Sequence, residues 1–285
     1  MKTVAFHTLG CKVNTYESNA MLKIFNEAGY QEVDFKQVAD VYVINTCTVT
    51  NTGDSKSRQM IRKAIRKNPK ATICVVGCYS QTAPEEIEKI EGVGVVLGTQ
   101  YRSDIVKYVD EHLGTGEMVI KVDNVMNLRK FEDLNIDRFK NTRAFLKIQD
   151  GCNNFCSYCK IPFARGRSRS RKKENILKEI EKLVNEGFKE IILIGINLGA
   201  YGEDLEEDID FEDLLEEILQ VKGLERVRIG SVYPDKISDR FVDMFKYKNL
   251  MPHLHISLQS CDDTVLKMMK RKYGSDLIEE RLLKL

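Results

Sequence analysis

Three cysteines stand within the ten residues GCNNFCSYCK (151–160): Cys152, Cys156 and Cys159, separated by three residues and then by two. No fourth cysteine or histidine lies nearby, since the flanking histidines are His112 and His253. Structural zinc asks for four ligands, usually in paired C-x-x-C units, and the triplet falls short of that. Iron–sulfur clusters are held by cysteine thiolates, and a cubane has four irons. Three cysteines leave one iron without a protein ligand, and such an iron can bind a small molecule through amino and carboxylate groups. Asn153, Asn154, Ser157 and Tyr158 make the loop polar, which argues against three cysteines packed as small hydrophobes.

The elements around this loop read as repeated βα units. Strand 144–149 precedes it. Helix 174–187, strand 190–195, helix 210–222, strand 226–231, helix 237–247, strand 253–259 and helix 262–270 follow. The strands carry isoleucine, valine and leucine, as in a parallel sheet covered on both faces. Right-handed crossovers repeated in one direction tend to close a barrel, but four βα units make only a partial one.

The first third alternates in the same way. Strands are expected over 3–9, 41–45, 72–77 and 94–98, with helices over 18–29, 55–68, from near Pro84, and over 102–114. This implies an open parallel α/β sheet. Cys11, Cys47 and Cys78 follow its first three strands, in TLGCKVN, INTCTVT and VVGCYSQ. In a parallel sheet these strand ends lie on one edge, so the three thiols are expected to converge as a second trio. Cys74 lies inside TICVVG and reads as core. The domains are therefore 1–114 and 144–285, with 115–143, polar and irregular apart from a short strand at MVIKV, as a linker.

The whole chain bounds the possibilities. At 285 residues, 42% hydrophobic and 31% charged, it has room for two soluble domains. No apolar run approaches the roughly 20 residues of a membrane helix, and the start MKTVAFHTLG is too short and polar for a secretory signal. A cytoplasmic location is expected, with no membrane partner. Eight unevenly spaced cysteines in that reducing compartment favour metal binding or catalysis over disulfides. A net charge of +1 exerts no global pull on nucleic acid. Two local runs, 56–70 and 160–173, each hold seven basic residues and no acid, and suit a nucleic-acid phosphate backbone.

C-x-x-x-C-x-x-C after the first strand of a βα barrel resembles the radical S-adenosylmethionine superfamily. With TLGCKVN, NTCTVT, GCYSQ, CNNFCSYCKIPFARGRSRSR and LIGINLGAYG, the chain as a whole resembles the methylthiotransferases of that superfamily. The Lys12–Val13 variant is most like the branch acting on threonylcarbamoyladenosine in tRNA. The isopentenyladenosine branch usually has glutamine and methionine there, and the ribosomal-protein branch has proline after the cysteine.

The resemblance implies two 4Fe-4S clusters, one on Cys152, Cys156 and Cys159 and one on Cys11, Cys47 and Cys78. It implies S-adenosylmethionine as cofactor, split to a 5′-deoxyadenosyl radical that takes hydrogen from C2 of adenosine 37. Gly195, Asn197, Ser257 and Gln259 are the expected cofactor contacts. Arg165, Arg167, Arg169 and Arg171 are expected to meet RNA or the cofactor carboxylate, with the tRNA anticodon stem-loop and a flavodoxin- or ferredoxin-like electron donor as partners. Family members usually continue through further barrel strands into a small RNA-binding β domain, so the barrel is expected to be C-terminally incomplete. Cys261 stands where SLQSG is common, either as a neutral replacement or as a fourth thiolate near the cluster. Rival readings are another methylthiotransferase target, a non-catalytic iron–sulfur protein, or an RNA-binding module with zinc-binding cysteines.

Overall fold

The computed structural model describes residues 1–48, 51–136 and 143–285. The chain folds as two compact units. The first takes in Met1–Leu128, the chain around Leu134 and Ile136, and the short segment Phe163–Arg165.

In the first unit the apolar runs become strands. Its elements are β1 (Thr3–Thr8), α1 (Lys12–Glu27), β2 (Gln31–Glu32), β3 (Val41–Thr46), α2 (Asn51–Lys67), β4 (Thr72–Gly77), α3 (Cys78–Thr82), α4 (Pro84–Glu88), β5 (Val93–Leu97), α5 (Ile105–Thr115) and β6 (Val119–Lys121). The sheet runs β2-β1-β3-β4-β5-β6 and every pairing is parallel. Every residue of β3, β4 and β5 is buried, as strands covered on both faces must be.

Alternation along the strands divides the core in two. Val41, Val43, Cys74 and Val76 pack with Met21 and Phe25 of α1 and Ile105 and Val109 of α5. Tyr42, Ile44, Ile73 and Val75 pack with Ile61 and Ala64 of α2 and with Tyr79 and Ile87. Two outcomes depart from the sequence reading. The first helix starts at Lys12 rather than at 18, because Asn14, Glu17 and Ser18 are buried polar residues that interrupt the apolar period. Val119–Lys121, expected as a short strand within a linker, joins the sheet as its edge strand. Positions 137–142 of that stretch lie outside the described residues.

The second unit contains Arg129–Asp133 and most of the chain after residue 142. Its strands β7 (Ala144–Lys147), β10 (Glu190–Ile194) and β11 (Arg226–Ile229) form a parallel sheet in the order β11-β10-β7. Between β7 and β10 come β8 (Gln149–Asp150), α6 (Ile161–Arg165), β9 (Arg169–Ser170) and α7 (Lys173–Asn185). β8 and β9 pair antiparallel across the cysteine loop and α6, a pairing the sequence reading missed.

Next come α8 (Phe211–Leu219), β12 (Ser231–Val232), α9 (Asp239–Asp243), β13 (His255–Ile256), α10 (Asp263–Met268) and α11 (Ser275–Lys284). The expected strand 253–259 shrinks to the two residues of β13, paired in parallel with β12. α8 begins with a reciprocal capping box between Asp210 and Asp213, which satisfies two N–H groups of its open first turn. Leu146, Ile191, Leu193 and Val227 of the sheet are buried with Ile176 and Ile180 of α7 and Leu214 and Ile218 of α8. No helix among the described residues is long and apolar enough to cross a membrane.

Candidate metal centres

In the first unit β1, β3 and β4 are sheet neighbours and run the same way. Their C-terminal ends present Cys11 as the N-cap of α1, Cys47 just past β3, and Cys78 as the first residue of α3. The approach is close. A Cβ added to Gly10 would lie 2.9 Å from Cys47 Cβ and 3.0 Å from its Sγ, and one added to Gly77 would lie 2.5 Å from Asn45 Oδ1. Both glycines have φ of +102°, so the residue before Cys11 and before Cys78 must be glycine on steric and torsional grounds alike.

Cys78 is buried, and burial pushes its thiol up to about 11. Arg165 draws it down, while Glu17, Cys11 and Cys47 add to the rise. Cys78 therefore lies within electrostatic reach of both Cys11 and Cys47 at the sheet edge. Beneath them lies a fully buried charge group. Glu17 accepts from Arg165 Nη1 at 2.8 Å and pairs with Arg102 Nη2 at 3.2 Å, and Arg165 Nη2 donates to Asn14 Oδ1 at 2.8 Å. Asn14 Nδ2 in turn donates to the carbonyls of Leu9 and Thr46, tying the ends of β1 and β3 together.

In the second unit the cysteine loop leaves β8 through Gly151, whose φ is +73°. Cys152 N–H donates to the Gly166 carbonyl at 3.0 Å, Asn154 N–H to Cys152 Sγ at 3.4 Å, and Cys159 N–H to the Cys156 carbonyl at 3.0 Å. Burial raises the Cys152 and Cys159 thiols, and Cys156 beside them adds to both. Among the described residues no three His, Cys, Asp or Glu side chains close on a single ion. A cubane instead takes one thiolate per iron, spread around four metals, and each trio supplies three thiols for that.

Gln149, which the sequence reading passed over, organises the rest of this site. Its Oε1 accepts from the N–H groups of Ile196 and Asn197 at 2.9 and 2.8 Å, and its Nε2 donates to the carbonyls of Asp150 and Gly151 and to Ser168 Oγ. The loop after β10 is thereby fixed beside the start of the cysteine loop. A Cβ at Gly195 would stand 2.9 Å from Leu198 Cδ2 and 3.1 Å from Gln149 Oε1. Asn197 is buried and its Oδ1 has no hydrogen-bond partner. An acceptor left in that state suits a ligand N–H, which fits the amino group of S-adenosylmethionine. Ser257 sits just past β13 with its N–H donating to Val232, and Gln259 is exposed with φ of +68°. Cys261 is exposed. Cys74 is fully buried in the sheet core, where burial raises its thiol strongly.

The four arginines expected to meet RNA divide sharply. Arg165 is buried against Glu17. Arg169 is buried with its guanidinium donating to the Arg167 carbonyl and 3.8 Å from Asp150. Arg171 is buried between Glu179 and Asp133. These three are internal counter-charges and present no surface to a phosphate, which corrects the reading of a continuous basic patch. Only Arg167 is exposed, stacked over Phe155. The other basic run fares differently. Lys56, Arg62, Lys63, Arg66 and Lys70 are exposed on and just after α2, whose opposite face buries Ile61 and Ala64.

Residues 3–98 match the uncharacterized protein family UPF0004, and residues 146–285 match the radical SAM superfamily, whose members use a 4Fe-4S cluster and S-adenosylmethionine. The chain is 51% identical to the threonylcarbamoyladenosine tRNA methylthiotransferase MtaB of Bacillus subtilis, over 100% of this chain and 64% of that protein. It is 39% identical to the MtaB of Aquifex aeolicus over 97% of this chain and 68% of that protein. It is 36% identical to a tRNA-2-methylthio-N(6)-dimethylallyladenosine synthase of Clostridium perfringens, over 96% and 63%.

The chain thus spans about two thirds of the length of these relatives. In fold it is similar to the radical S-adenosylmethionine methyltransferase TsrM of Kitasatospora setae, solved with cobalamin and a 4Fe-4S cluster bound (TM-score 0.68, 15% identity, 100% of this chain and 67% of that one). Two thiol trios at strand ends, in units that match UPF0004 and radical SAM in that order, and a 39% identical relative covered over two thirds of its length, make this chain a member of the radical S-adenosylmethionine tRNA methylthiotransferase family.

Proposed function

We propose that this chain is the catalytic part of an enzyme that converts N6-threonylcarbamoyladenosine at position 37 of tRNA to its 2-methylthio derivative. The observation that carries the proposal is the pair of thiol trios, Cys11, Cys47 and Cys78 in one unit and Cys152, Cys156 and Cys159 in the other. A 4Fe-4S cluster on the second trio, with S-adenosylmethionine, would supply a 5′-deoxyadenosyl radical for hydrogen abstraction at C2 of the adenine.

Each residue then has a stated task. Cys152, Cys156 and Cys159 would hold the cluster that, when bound with S-adenosylmethionine, supplies the radical chemistry. Asn197 offers its buried oxygen to the cofactor's amino group, and Gln149 holds the Asn197 backbone in place. Ser257 and Gln259 lie past β13 for contacts to the ribose. Cys11, Cys47 and Cys78 would hold a second cluster, whose chemistry would be the supply of sulfur. The exposed lysines and arginines of α2, with Arg167, give the anticodon stem-loop its phosphate contacts. The electrons come from a small flavodoxin- or ferredoxin-like donor in the cytoplasm.

Lys12 and Val13, together with greater identity to the two MtaB proteins than to the dimethylallyladenosine synthase, support the threonylcarbamoyl substrate. The test is anaerobic incubation of the iron-loaded chain with S-adenosylmethionine, dithionite and tRNA carrying either adenosine derivative, followed by nucleoside mass spectrometry. The 2-methylthio product on the threonylcarbamoyl nucleoside is expected. Product on the isopentenyl nucleoside alone would reassign the branch. Absence of 5′-deoxyadenosine on both would refute the radical reading.

A further inference from the structure

One cation is built into the side of the second unit that carries the cysteine loop. Arg271 follows α10. Its guanidinium carbon lies 5.0 Å from the ring centre of Tyr233, 5.7 Å from that of Tyr158 and 5.8 Å from that of Tyr273. Nη2 donates to the Tyr158 hydroxyl at 2.5 Å, and Nε is buried with no partner. Among the described residues no carboxylate forms an ion pair with it. The charge is therefore held by ring faces, which attract cations through their quadrupole without neutralising them.

The backbone fastens this cation to the thiols. Ser157, between Cys156 and Cys159, donates its N–H to the Met269 carbonyl at 3.2 Å and its hydroxyl to the Met268 carbonyl at 2.8 Å. Lys270 takes a left-handed φ of +57°, uncommon for a residue with a side chain, in the turn that delivers Arg271. Tyr273 donates its hydroxyl to the Ser257 carbonyl and so anchors the far side of the cage. Tyr158, which precedes Cys159 directly, accepts from Arg271 through its hydroxyl and so holds the cation beside the cysteine loop.

We propose that Arg271, caged by Tyr158, Tyr233 and Tyr273, is a positioning residue whose fixed positive charge sets the reduction potential of a cluster held by Cys152, Cys156 and Cys159. The inference rests on the cluster assignment made above. A cubane on three thiolates gains a further negative charge when it takes up an electron, and cluster potential follows net charge and local electrostatics. A cation in a half-buried site is poorly screened, so it favours the reduced state. Arginine suits the place because its planar group can meet several rings at once while remaining charged at every working pH.

The test uses the full chain with Cys11, Cys47 and Cys78 all replaced by alanine, reconstituted anaerobically with iron and sulfide so that one cluster remains. Iron content and an EPR-monitored redox titration are read for this parent, for Arg271→Gln and for Arg271→Lys. The parent is expected to hold about four irons. Arg271→Gln should hold the same iron but be about tenfold harder to reduce, a midpoint about 59 mV more negative for one electron. Arg271→Lys should restore at least half of that shift.

An unshifted or more positive midpoint in Arg271→Gln overturns the proposal, as do equal shifts in the two variants. Where Arg271→Gln loses its iron, Arg271→Lys decides. Iron and midpoint retained there support the charge, and their loss overturns it. A parent that takes up no iron refutes the cluster assignment and this inference together, whereas an iron-loaded parent with an unshifted variant refutes the inference alone.

Discussion

Gln149 Oε1 lies 2.8 Å from the N–H of Asn197, 48 positions further along the chain, and 2.9 Å from that of Ile196. The same side chain donates through Nε2 to two carbonyls and a hydroxyl around the cysteine loop. One buried amide thus sets the distance between the loop that bears the thiols and the loop proposed to bind the cofactor.

Gln149→Ala would strip these partners at once. With each buried hydrogen bond worth about 1 kcal/mol, a loss of about 2–3 kcal/mol is expected in urea unfolding. S-adenosylmethionine should bind about tenfold more weakly to the iron-loaded variant by calorimetry. Unchanged affinity would show that the 195–197 loop holds its place without Gln149.

Arg165 and Arg167, two residues apart, should respond in opposite ways. Removing one member of a buried ion pair costs about 3–5 kcal/mol, and Glu17 keeps Arg102, so Arg165→Ala is expected near the lower figure. Arg167→Ala removes an exposed side chain and should change stability by no more than about 0.5 kcal/mol. The same substitution should weaken tRNA binding and reduce the salt slope by about one phosphate contact. Paired thermal melts and filter binding at several salt concentrations separate the two.

That contrast shows where sequence reading runs out. RGRSRSR looks like a uniform basic strip, yet Glu17, Asp133, Asp150 and Glu179, the carboxylates that claim three of its arginines, lie from 8 to 148 positions away, and local sequence cannot pair charges over such spans. The strands of the first unit were legible because β3, β4 and β5 are continuous apolar runs, and sheet order then brought Cys11, Cys47 and Cys78 to one edge. Two-residue strands such as β8, β9 and β13 carry no periodicity to detect. Gln149 was invisible for another reason. A buried amide just past an apolar strand announces itself only through its partners.

Cys156→Ala should abolish 5′-deoxyadenosine formation, whereas Cys47→Ala should retain cofactor cleavage and lose the methylthio product. Iron analysis should show each variant short of one cluster's iron. Identical behaviour of the two would end the proposed division of labour between the trios.

Glu190 offers a pH test in the second unit. It is buried, which alone would raise it, but Arg228 at 2.7 Å, Arg226 at 3.0 Å and Arg143 at 3.1 Å outweigh that and hold its carboxyl below the ordinary 4.5. A group lowered in the folded state adds stability above its unfolded value, lost as pH falls through the folded one. Glu190→Gln should therefore cost about 1–2 kcal/mol at pH 7. The gap to wild type should close as the medium is acidified below the ordinary carboxylate range. A gap that persists in acid would show that shape, and not charge, is what the site needs.

Cys74 has no access to water and no partner metal to seek, because its sulfur belongs to the packing between β4, α1 and α5. A thiol in that state is inert toward alkylating reagents until the sheet comes apart. Maleimide capture at this one position, timed by peptide mass spectrometry, would therefore act as a clock for opening of the first unit, and loading the chain with iron should slow it.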